Sequence, residues 1–231
     1  MPSLQRIQQG GAIAFLAGVL GLVVAPLMNA AYHLTESGGT LPRAVWEAPL
    51  VGLARPFFTF APPDAVYATY GKMCFLIFLG LLIGVLALRR YFHVRQTTTQ
   101  AGTLQRWGFT LAVVGLALNL LGNISDYWIG DGTTTLELAV FIGGTLVGLL
   151  LTAVGLLLVG IAALRLHLLP RIAAWLLILW LPMSFVLLLT GLNNLLTSPL
   201  FALGITWIAV GYILWSRTGS DVPLGATPTP N

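Results

Sequence analysis

Residues 138–164 read LAVFIGGTLVGLLLTAVGLLLVGIAAL, an uninterrupted run without one charged side chain. As a helix rising 1.5 Å per residue it would reach about 40 Å, beyond the roughly 30 Å of hydrocarbon in a bilayer. It spans and has length left over to tilt. A strand reading fails because apolar and polar residues do not alternate, as they would in a membrane barrel. Hydrocarbon offers no water to backbone N–H and C=O groups, so each such run must satisfy its own hydrogen bonds as helix.

Five more apolar runs flank this one: 11–32, 73–88, 107–125, 172–192 and 199–216. Leu, Ala, Gly and Val dominate them all. The run at 73–88 is short for a span, but Asp64 could cap an extension through Tyr67 and Tyr70, with Lys72 snorkelling to the surface. Pro26 predicts a kink in the first helix. The run from Gly11 is too long for a signal core, and Asn29-Ala30-Ala31 is a poor cleavage site, so the segment is read as an uncleaved span. The fold class expected is an all-α integral membrane protein: a bundle of six transmembrane helices forming one domain over 1–216.

Composition agrees. The chain carries eleven Lys or Arg and seven Asp or Glu in 231 residues, 8% charged against 57% hydrophobic. A soluble domain needs about 25% charged residues to dress its surface. The net charge of +4 does not imply nucleic-acid binding, because the basic residues are scattered between apolar runs and form no patch. They follow topology instead. With a cytoplasmic N-terminus, Arg6, Arg89, Arg90, Arg95, Arg106, Arg165, Arg171 and Arg217 all lie inside, with Asp221 the only acid. Glu36, Glu47, Asp64, Asp126, Asp131 and Glu137 fall outside, with Arg43, Arg55 and Lys72. The positive-inside rule therefore places both termini in the cytoplasm. Trp107, Trp128, Trp175, Trp207, Trp215 and Tyr212 stand towards span ends and read as interface anchors.

Between the spans, residues 33–72 form one sizeable outer loop. Five prolines forbid a continuous helix there. Trp46, Phe57, Phe58, Phe60 and other apolar residues predict that part of it lies on the membrane or packs over the helix ends. Residues 217–231, rich in Gly, Pro and Thr, read as a disordered tail.

The chemistry-bearing residues gather towards the outer ends. Asn119, Asn123 and Asp126 fall at i, i+4 and i+7 on one helical face, and Asn29, His33 and Glu36 repeat that spacing if the first helix continues so far. Glu137 and Asn193 lie at the same level. Together they predict a ring of amide, carboxylate and imidazole groups, which can bind a cation, a head group or a small solute. Interhelical hydrogen bonding that sets helix rotation is the simpler reading. Lipid-facing amides are costly, so either reading turns these faces inward.

Other signals are weaker. One cysteine, Cys74, forms no internal disulfide, and His33 lies across the membrane from His93 and His167, so no metal site or other cofactor is expected. Asn123-Ile-Ser125 matches a glycosylation pattern but adjoins the span. Gly80-x-x-x-Gly84 and Gly144-x-x-x-Gly148 let helices approach closely, more simply within the chain than between chains. A shift of 94 residues matches Phe15, Gly21, Leu22 and Asn29 to Phe109, Gly115, Leu116 and Asn123, a faint internal repeat. No nucleophile elbow or phosphate loop occurs, so an enzyme is disfavoured. Two functions stay open: an accessory, sensor or assembly subunit whose partners are membrane lipids or other helices, and a small-solute or ion transporter using the outer polar ring. Short loops point to a bacterial-type plasma membrane.

Overall fold

The computed structural model describes residues 2–35, 52–95, 102–129, 135–189 and 197–217, and these hold helices and no strand. Six helices are long and apolar enough to cross a membrane. In chain order they are α1 (Pro2–Tyr32), α2 (Pro63–Arg95), α3 (Thr103–Ile124), α4 (Thr135–Ile142 continuing as Gly148–Arg165), α5 (Arg171–Leu189) and α6 (Thr197–Arg217). A wider π turn extends α3 over Ser125–Ile129, and a second, Gly143–Val147, joins the two parts of α4. This is the architecture of a multi-pass membrane protein.

All but α5 outrun the apolar runs that announce them. α2 has 33 residues and so measures about 50 Å, well beyond the hydrocarbon. Its start at Pro63-Asp64 suits a first turn, where proline's missing N–H is no loss and an acid meets the positive end of the helix dipole. Residues 63–72, expected in the outer loop, are therefore the first turns of α2, and that loop ends earlier than the hydropathy suggests. Lys72 sits on α2 with its ammonium 5.7 Å from the Trp128 ring centre. α1 likewise starts before its apolar run, and it continues through Pro26. The end expected for the fifth span, and the tail from 218 onward, lie outside the described residues.

Each helix packs on its neighbours in sequence, and α1 closes the ring against α6. Two seams are held by glycine. A Cβ added to Gly18 would stand 2.8 Å from the Gly204 carbonyl oxygen, and one on Gly211 2.8 Å from that of Gly11, so α1 and α6 run antiparallel with their backbones in contact. Across α3 and α4, a Cβ on Gly115 would meet the Gly148 carbonyl at 2.6 Å and one on Gly155 that of Gly108 at 2.7 Å. Close approach of this kind substitutes for the hydrophobic drive that lipid does not supply. Gly80 and Gly84 face Ala17 and Ala14 of α1, and Gly144 faces Gly122, so both small-residue pairs are used within the chain. By seam position Gly11 and Gly18 correspond to Gly108 and Gly115, whereas the 94-residue shift pairs Gly21 with Gly115. Gly21 also faces α6, at the Leu200 carbonyl, so both glycines of that match lie on packing faces.

One expected anchor is misplaced. Trp207 is fully buried, its ring over Gly84 where α2 and α6 meet beside α1. Grouped by sequence with the span-end anchors, it in fact stands at the middle of α6, where the ring packs against the missing side chain of Gly84. Trp107, Trp128, Trp175, Trp215 and Tyr212 are exposed. Trp180, which the sequence does not single out, is also fully buried.

Candidate functional site

α3 carries the polar stripe of the bundle. Asn119 and Asn123 are 1% and 5% exposed, four residues apart on one face. Asn119 Nδ2 donates to the Gly115 carbonyl of its own helix at 2.8 Å, and Asn123 Nδ2 donates to the Gly71 carbonyl of α2 at 2.9 Å. Each NH₂ gives one of its two N–H donors to a carbonyl, and the acceptor end of each amide stays uncommitted. Neither Oδ1 has a hydrogen-bond partner among the described residues.

Both asparagines line a cavity of about 30 Å³ between α1, α2, α3, α4 and α6. Met28, Cys74, Tyr127 and Thr145 contribute to its wall, with Phe78 and Phe141 among the apolar residues. A volume of 30 Å³ exceeds the roughly 10–15 Å³ a water needs, and two acceptors suit a molecule that donates two hydrogen bonds. The Cys74 Sγ–H lies 3.6 Å from both Met28 Sδ and the Tyr70 carbonyl, so the thiol is already engaged. Both π turns adjoin this cavity: Tyr127 belongs to one and Thr145 to the other. Such turns re-aim side chains and recur at functional places in helices.

Compared with known proteins, the chain matches no family model, no curated protein and no solved structure. The site is therefore read from its own geometry.

Above the cavity an aromatic cluster ties three helices together. The Tyr67 and Tyr127 hydroxyls are 3.0 Å apart, and the Tyr67 ring packs on Tyr32 with centroids 5.4 Å apart. Part of the connecting segment closes over this end: Arg55–Phe58 forms a short 3₁₀ turn, the Tyr70 hydroxyl donates to the Phe57 carbonyl at 3.1 Å, and Phe58 meets the Tyr70 ring edge-on. Leu53, Phe57 and Phe60 stay exposed.

The expected ring is thus brought together only in part. Asn119 and Asn123 share the cavity. Asn29 and His33 are buried at the C-terminal end of α1 but do not line it; Met28 does. Asp126 is half-buried and does not line it either. The π turn beginning at Ser125 changes the helical phase, and Tyr127 takes the place that α-helical spacing assigns to Asp126. Glu36 and Asn193 lie outside the described residues. Glu137 falls on the first part of α4, with its side chain outside the description. Met28, Tyr127 and Thr145 carried no signal of their own, and Tyr67 and Cys74 stood out only as part of a helix extension and as a lone thiol. Among the described residues no three His, Cys, Asp or Glu side chains gather as a metal site would require.

Proposed function

We propose that this chain is a non-catalytic membrane subunit, an accessory, sensor or assembly protein that recognises lipids or other helices, with both termini cytoplasmic in a bacterial-type plasma membrane. The observation that carries this reading is the use made of the polar stripe. Asn123 is spent on tying α3 to α2, and the cavity beside it has room for water rather than for a solute. The outer faces support recognition of apolar partners. Between α4, α5 and α6 lies a second groove of about 230 Å³, walled by Leu146, Leu150, Leu181, Phe185 and Pro199, which suits a lipid chain or a partner's side chains. The orientation rests on the eight arginines at one set of helix ends.

Affinity purification of the full chain from its native membrane tests the proposal: a stoichiometric membrane-protein partner or a retained lipid is expected. A second reading, transport of a small solute or ion, is favoured by one observation, the two unpartnered amide oxygens. Purified protein in liposomes separates the two. Solute flux that falls on Asn123→Ala or Asp126→Asn would replace the subunit reading with the transporter.

A further inference from the structure

At the opposite end of the bundle, α1 and α2 enclose a groove of about 230 Å³ lined by Arg6, Gln9, Gly10, Ile13, Ile83, Leu86, Ala87 and Arg90. Its shape follows from the packing register. Gly10 meets Ala87, Gly84 meets Ala14 and Gly80 meets Ala17, so the two helices run antiparallel with small residues between them. One turn further along, that register sets Arg6 level with Arg90. Both arginines are exposed. No acid lies on α1, and the only acid on α2 is Asp64, at its far end. Two guanidinium groups therefore face one recess with no carboxylate from either helix to neutralise them. Towards the hydrocarbon the walls turn apolar through Ile13, Ile83 and Leu86.

We propose that this groove is a site for an anionic phospholipid. Its phosphate would sit between the Arg6 and Arg90 guanidinium groups, with an acyl chain along Ile13, Ile83 and Leu86. Guanidinium groups bind phosphate oxygens through paired N–H donors, and basic recesses between transmembrane helices select anionic head groups. The order of the wall, cationic and then apolar, follows the order of the lipid, phosphate and then chain. Gln9 adds an amide at head-group level. The site is distinct from general attraction between a basic membrane face and anionic lipid, because it requires two particular arginines and the apolar floor beneath them. It does not depend on the subunit reading or on which leaflet the groove faces.

The test is the thermal unfolding midpoint of the full chain in detergent, titrated with phosphatidylglycerol and, separately, with phosphatidylcholine of the same acyl chains. Phosphatidylglycerol is expected to raise the midpoint saturably and further than phosphatidylcholine. Arg6→Gln with Arg90→Gln should abolish the difference, while Arg165→Gln with Arg171→Gln at another basic turn should preserve it. Leu86→Trp, which fills the floor and keeps both arginines, should also reduce it and covers the case in which the double variant does not fold. Equal shifts from the two lipids, an undiminished phosphatidylglycerol shift in the Arg6/Arg90 variant or in Leu86→Trp, equal loss in the Arg165/Arg171 variant, or the same shift from inorganic phosphate alone would each overturn the proposal.

Discussion

The side chains that organise this bundle are few, and each acts through a nameable contact. Asn123 spans from α3 to the Gly71 carbonyl of α2, and hydrogen bonds between membrane helices contribute about 0.6 kcal/mol on average and up to about 1.7 kcal/mol. Asn123→Ala is expected to lower stability by an amount in that range, read from reversible unfolding in mixed micelles; no change would show the bond to be idle. Trp207 offers a larger effect. Truncating a buried tryptophan to alanine removes its contacts and leaves a void, costing about 3–5 kcal/mol, whereas Trp215 is half exposed. Trp207→Ala should therefore unfold the protein far more readily than Trp215→Ala, and comparable losses in the two would contradict the burial. Hydropathy treats these two residues alike, since both lie on the last helix near apolar neighbours. What separates them is Gly84 on another helix, which no local reading of α6 contains.

Among the elements, the glycine seams are where the sequence was legible in type and silent in partner. Gly80, Gly84, Gly144 and Gly148 stand out as close-approach positions by their four-residue spacing alone. Which helix each one meets depends on rotation about the helix axis, and that is set by all the neighbours together. The α3–α4 seam gives a paired prediction. A side chain at Gly115 would collide with the Gly148 carbonyl and with Thr152, while Gly143 faces open space. Gly115→Val should abolish a monodisperse peak on size exclusion, because neither backbone can yield, and Gly143→Ala should elute as the wild type does. The π turns show the same division. Spacing of four and then three residues placed Asp126 with the asparagines, and one wider turn at Ser125 handed that place to Tyr127. A π turn is a response to packing, so periodicity alone could not announce it.

For the whole molecule, the proposed orientation is the statement most directly open to measurement. A reporter fused after Arg217 and another at residue 1 should both report the cytoplasm, and single cysteines replacing Leu53 and Phe60 should be labelled from outside by an impermeant reagent in a Cys74→Ser background. Labelling from the opposite face would invert the assignment. The ring order, with α1 closing on α6, also makes these two helices, distant in the chain, one of the glycine-seamed pairs of the bundle. Removal of α6 is expected to expose Gly11 and Gly18 and to leave α1 without its seam.

Six segments long and apolar enough to span were legible in the sequence alone, because the free energy of placing apolar segments in lipid is a sum over each segment's own residues. The arginine bias is equally local, and it underlies the proposed orientation for the same reason. Tertiary structure decided which side chains meet. Only packing could put Asn119 and Asn123 around one cavity with Met28 and Cys74, seat Trp207 over Gly84, and bring Arg6 level with Arg90. Such encounters depend on the rotation and register of helices distant in the chain, and steric fit between whole faces sets both.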